Sequence, residues 1–110
     1  MAVYTPKRFY INQPSTSNAT LYTVTTGASQ IIKNILLNNT TASDATITLN
    51  IVPTGGSAST TNRLLSAYTV KANDTVAIDC SIVMNSTDFV SGLQGTSGAI
   101  TAIISGVEVV

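Results

Sequence analysis

Five acidic side chains and one thiol head a thin stock from which this sequence could assemble a reactive centre. Acid–base catalysis asks for two proton-transfer groups held in one cleft with separated proton affinities. Asp44, Asp74 and Asp88 instead fall in Asn/Ser/Thr stretches that read as turns, where an aspartate serves nearby backbone amides. Asp79 sits on the wet side of an alternating run, and Glu108 lies near the C-terminus, where a strand charge blocks edge-to-edge aggregation. None of these carboxylates has the alternating Asp spacing of a calcium loop. Histidine is absent, which removes the imidazole base, the imidazole ligand and the ordinary pH switch. Cys80 is the single cysteine, so neither an intrachain disulfide nor a cysteine zinc cluster can form. Its place in Val76-x-Ile78-x-Cys80 predicts a small core hydrophobe suited to a reducing compartment. The expectation is no enzyme, no cofactor, no metal and no small-molecule substrate.

What remains is the chemistry of contact. The first twenty residues hold two of the three prolines, Pro6 and Pro14, the adjacent cations Lys7 and Arg8, and the aromatics Tyr4, Phe9 and Tyr10. Two readings stand side by side. Arg8 to Ile11 could be a first strand followed by a long polar loop. Alternatively the segment is an arm that docks on another subunit, its aromatics the anchors and its cations the orienting charges. Gln13 to Thr20 is Pro/Ser/Thr/Asn-rich, of linker type. Arg63 could pair with Asp74 or Asp79, or act as an interface clamp through its planar donor fork. The N-terminus has no apolar signal core, and no run approaches the roughly 20 apolar residues of a membrane helix. Asn-x-Ser/Thr triplets begin at Asn18, Asn38, Asn39, Asn73 and Asn85, as expected of so Asn/Thr-rich a chain, and none is read as glycosylated.

The elements that must carry these residues are strands. Ala45, Ile47, Leu49 and Ile51 alternate with Thr46, Thr48 and Asn50, the mark of a strand with one dry and one wet face. Pro53, Gly55 and Gly56 stop it. Similar short runs cover Leu21 to Thr25, Gln30 to Asn38, Leu64 to Val70, Thr75 to Met84, Phe89 to Leu93 and Ala99 towards Val110. Turn residues separate them, with a long Gly/Ser/Thr/Ala loop from Thr54 to Asn62 that offers no core-forming residue. The run from Gln30 is apolar on both sides, with Ile31, Ile35 and Leu37 on one and Ile32 and Leu36 on the other. That predicts cover from both directions, by a central position or a neighbouring subunit. Gly106 reads as a bulge or close-approach point. The fold expected is all-β: an antiparallel β-sandwich, jelly-roll or Ig-like, of about seven or eight short strands. Its domain would span residues 21–110 behind an arm and linker at 1–20. At 110 residues this is one domain's worth of core. Zero net charge argues against a nucleic-acid partner and leaves little protection against self-association.

Several stretches resemble small bacteriophage virion proteins with a β-sandwich fold. They are Leu21-Tyr-Thr-Val24 with Thr26-Gly27, Ile35-Leu-Leu-Asn-Asn-Thr-Thr41, Asp44-Ala-Thr-Ile-Thr-Leu49, Val52-Pro-Thr-Gly-Gly56, Asn62-Arg-Leu-Leu65 and Ile104-Ser-Gly-Val-Glu108. The resemblance spans about Leu21 to Val110 and brings no active-site motif with it. It implies a structural subunit of the virion, assembled in the host bacterial cytoplasm: a capsid decoration or cement protein that staples the shell from outside. Tail, baseplate and fibre modules, or a carbohydrate-binding sandwich, are the alternatives. Its partners would be the major capsid protein or another virion protein, and its own copies as a dimer or trimer. The interface residues expected are Tyr4, Lys7, Arg8, Phe9, Tyr10, Ile32, Leu36 and Arg63.

Overall fold

The computed structural model describes residues 2–110, and the alternation that begins at Ala45 is a strand over Ala45–Val52. In chain order the strands are β1 (Tyr4–Asn12), β2 (Ala19–Thr23), β3 (Ser29–Asn39), β4 (Ala45–Val52), β5 (Arg63–Val70), β6 (Thr75–Met84), β7 (Phe89–Gln94) and β8 (Ile100–Val109). A 3₁₀ turn at Thr60–Asn62 precedes β5, and among the described residues no helix is long and apolar enough to cross a membrane. The strands form two four-stranded antiparallel sheets, ordered β1-β8-β3-β6 and β2-β7-β4-β5. Every connection except β4–β5 crosses from one sheet to the other. That order is the jelly roll, which decides between the two sandwich topologies expected.

Between the sheets lies one core. Ile32, Ile35 and Leu37 from β3 meet Ile47 and Leu49 from β4, with Met84, Val90, Ile100, Ala102 and Ile104 around them. Each of these is at most 1% exposed. Val76, Ile78, Cys80 and Ile82 of β6 pack against this cluster half-buried, so Cys80 is the core-side thiol expected. Its Sγ lies 3.5 Å from the Ile32 carbonyl, and burial pushes its proton affinity up.

Three expectations change in the structure. First, residues 4–12 are a full strand, longer than the Arg8–Ile11 core of that reading, paired along β8 from Tyr4↔Val109 to Asn12↔Ala102. Residue 20 itself lies inside β2 (Ala19–Thr23), at an irregularity in its pairing with β7. Residues 13–18 are not a free linker either: Pro14 is buried, and its carbonyl accepts from Gln94 Nε2 at 2.6 Å while the Gln94 amide donates to Ser15 O at 3.0 Å. Met1 lies outside the described residues.

Second, the two faces of β3 are split differently. Ile32, Ile35 and Leu37 point inward, and Ile31 and Leu36 point away. An irregularity between Ile32 and Asn34 causes this, because one extra residue in a strand inverts the side-chain alternation beyond it. Gly106 on β8 makes it possible. A Cβ there would collide with the Ile31 carbonyl and come within 3.0 Å of the Lys33 amide. The close approach read at Gly106 is therefore real, and it is needed.

Third, the loop after β4 is not idle. It folds back over the outer side of β4, where Asn50 and Val52 are at most 1% exposed although neither belongs to the core cluster. Asn50 Nδ2 donates to Ser59 O and Asn62 Oδ1, both at 2.8 Å. Ser59 and Asn62 complete a capping box around the 3₁₀ turn. Asn39 does the same for the β3–β4 loop, donating to Ser43 O at 2.8 Å and Val70 O at 2.9 Å and accepting from the Thr41 amide. Gln94 binds both the amide and the carbonyl of Ile100 across the β7–β8 turn. In a chain with so few charges, buried carboxamides satisfy the loop backbone that would otherwise be left unpaired.

Candidate functional site

The β1-β8-β3-β6 sheet has a second face, turned away from the core, and cross-strand register fixes what it displays. Residues directly opposite on neighbouring strands share a face. Ile11 pairs with Ile103, Ile103 with Leu36, and Leu36 with Ala77: one apolar row across all four strands. Pro6 pairs with Val107, Val107 with Ile31, and Ile31 with Val83: a second. Between them Arg8, Ser105, Asn34 and Asp79 form a polar row by the same pairings. The banding is thus apolar, polar, apolar. Ile11 is 50% and Val83 62% exposed, and Tyr4, opposite Val109, is 69% exposed. This regular placing of apolar side chains makes the outer face the candidate contact surface.

The polar band is tied down on its β6 side. Asn34 Nδ2 donates to Asp79 Oδ1 at 2.9 Å, and Lys33 Nζ donates to Ser81 Oγ at 2.8 Å. On the β1 side of this face lies a shallow notch of about 480 Å³. It is lined by Pro6, Lys7, Arg8, Lys33, Ser105, Gly106 and Val107.

Beneath the notch, at the mouth of the core, lies a polar chain. Lys7 Nζ donates to Glu108 Oε2 at 3.1 Å, and Gln30 Nε2 donates to the same oxygen and to Tyr22 Oη, both at 2.7 Å. The Gln30 amide, then the Lys7 ammonium, hold the Glu108 carboxyl below its ordinary value, and Glu108 in turn raises Lys7. Gln30 is fully buried, and its Oε1 accepts no bond within the chain. Lys7–Glu108 is the ion pair of the described residues. Glu108 therefore anchors β1, and it does so from the inner side of its strand.

The expected interface residues do not gather on one surface. Phe9, 6% exposed, packs its ring 5.2 Å from that of Tyr22, and Ile32 is fully buried; both leave the candidate surface because the chain's own core consumes them. Tyr10 is half-buried against the same core, and burial raises its proton affinity. Tyr4, Arg8 and Leu36 do lie on the outer face, and Lys7 reaches it at the notch. Arg63 starts β5 on the other sheet, exposed, with no ion pair to Asp74 or Asp79. Among the described residues no group of three acids and cysteines is placed to hold a metal. Asp44 accepts from the Ala72 amide, and Asp88 from the amides of Thr54 and Asn85, so these turns spend their carboxylates on backbone.

No family model matches this chain. No curated protein matches it either. Among solved structures, that of infectious bursal disease virus Gx strain is similar over 99% of this chain and 31% of its own, at 11% identity and a TM-score of 0.49. The tobacco streak virus coat protein is similar over 96% of this chain and 84% of its own, at 11% identity and a TM-score of 0.39. This chain thus spans less than a third of the bursal disease virus chain. The fold assigned above rests on this chain's own strand pairing.

Sequence reasoning missed Ile31, Ile103, Val107 and Val83 on the outer face. The signal was present in the unbroken apolar runs Ile31-Ile32, Ile103-Ile104 and Ile82-Val83, where one neighbour of each pair must face away from the core.

Proposed function

We propose that this chain is a structural subunit of a bacteriophage virion, a decoration or cement protein seated on the outside of the shell. In this reading it contacts the major capsid protein, and its own copies as a dimer or trimer, through the outer face of the β1-β8-β3-β6 sheet. The banding of that face carries the proposal: two apolar rows cross a sheet whose other side already fills the core. The phage resemblance of the strand and turn motifs supports the choice of virion. The scarcity of titratable groups fits a part that binds rather than reacts. A carbohydrate-binding role has less to work with, since Tyr22 is engaged by Gln30 and Phe9, and the exposed Tyr4 (69%) and Tyr68 (36%) stand on different sheets.

The test is attachment to particles of the parent virion assembled without this chain, followed by negative-stain imaging. Wild type should saturate the shell, and Leu36→Asp with Ile103→Asp should lose at least about tenfold in affinity, the factor set by ~1.4 kcal/mol. Full attachment by that double variant would sink the proposal. Labelling confined to the tail or baseplate would move the subunit there and overturn the decoration role.

A further inference from the structure

Three of the chain's five cations line one notch, an arrangement the proposed assembly does not by itself require. Lys7 is neutralised by Glu108 at 3.1 Å. Arg8 and Lys33 are exposed, and Lys33 bonds only a neutral hydroxyl, so the notch carries two uncompensated positive charges. Asp79, the acid at the far end of the same polar row, is bonded to Asn34. The notch floor is backbone at Gly106, and Pro6 and Val107, both in the second apolar row, form its apolar rim.

We infer that this notch receives a carboxylate-bearing segment of a partner protein, an acidic residue flanked by apolar ones, gripped by Arg8 and Lys33. The inference rests on the reading of this face as the assembly surface and names the chemistry of its partner. Charge complementarity points to an anion, since Arg presents a planar fork that fits a carboxylate and Lys a point charge beside it. The apolar rows on both sides point to protein. A nucleic-acid backbone offers a phosphate at every step and no apolar flank, and it would need a basic tract that this neutral chain lacks. A second copy of the chain fits poorly: Asp44, Asp79, Asp88 and Glu108 are already hydrogen-bonded at home, and the exposed Asp74 stands between Asn73 and Thr75 with no apolar flank.

The experiment is an amide NMR titration of the full chain with three probes. They are the blocked peptide Val-Glu-Val-Asp-Val, its amide counterpart Val-Gln-Val-Asn-Val, and single-stranded oligo-dT. Saturable shifts confined to Lys7, Arg8, Lys33, Ser105, Gly106 and Val107 are expected with the acidic peptide. The amide peptide should bind at least about tenfold more weakly, and added salt should weaken the acidic one. Arg8→Gln with Lys33→Gln should abolish the shifts while leaving the melting temperature unchanged. Absent shifts, equal binding of the amide peptide, or preference for oligo-dT overturns the inference. Particle attachment separates the two claims. If the Arg8/Lys33 variant attaches fully while Leu36→Asp with Ile103→Asp does not, the notch inference falls and the assembly face stands. If both variants attach fully, the assembly face falls with it.

Discussion

At the scale of single residues, Gly106 and Glu108 set how β8 meets its neighbours. Because a methyl at 106 would strike the Ile31 carbonyl, Gly106→Ala cannot be absorbed by a rotamer change; backbone must move. Overpacking of this kind costs about 3 kcal/mol, which denaturant unfolding should report as a lower midpoint. Glu108 makes a different statement, about pH. Its folded proton affinity is depressed by Gln30 and Lys7, so its contribution is complete above the unfolded value of 4.5 and is lost as pH falls through the folded value. Lys7 is raised, so its share is complete below 10.5 and is lost as pH rises through its folded value. Glu108→Gln should therefore flatten the acid limb of a stability–pH curve while leaving the neutral plateau lower. An unchanged acid limb would mean that the pair is not held in solution.

At the scale of elements, β1 is where strand and arm readings of the N-terminus meet. Its inner side is structural, with Phe9 against Tyr22 and Lys7 on Glu108, and its outer side offers Tyr4, Pro6, Arg8 and Ile11. Phe9→Ala should cost about 3 kcal/mol, a large share of a total near 5–15, and should lower the thermal midpoint without touching particle attachment of the folded fraction. Arg8→Gln should do the reverse. Strand existence was legible from alternation and turn residues, and β4 was legible to the residue. The inward side of β3 was not, because one bulge residue inverts alternation and nothing in Ile-Ile-Lys-Asn-Ile-Leu-Leu marks where it falls. Gly106, far downstream on β8, was the clue, but only pairing shows that it faces Ile31 and Lys33. The notch was illegible for the same reason: Arg8, Lys33 and Ser105 meet through register, which sequence spacing does not carry.

At the scale of the whole molecule, the sandwich has one outer sheet face partly covered by its own loop, over Asn50 and Val52, and another crossed by apolar and polar bands. The isolated chain should associate through the latter, as a dimer or trimer by light scattering. Leu36→Asp should shift it towards monomer with little change in monomer stability, as substitutions on a surface usually do. A monomer in the wild type at virion-like concentration would remove the apolar rows as a self-contact. The pairing of β1 with β8 has a further consequence, in time. Val3 and Val110 exchange backbone hydrogen bonds at 2.7 and 3.1 Å, and Lys7 finds Glu108 across 101 positions. Closing so long a loop costs entropy before any contact repays it, so refolding should be slow, in the millisecond-to-second range of non-local β topologies. During synthesis β1 leaves the ribosome before β8, the strand it pairs with. Until β8 follows, the amphipathic strand that carries Phe9 inside and Tyr4 outside is a bare edge. A crowded translation apparatus is where this chain is most exposed to mispairing.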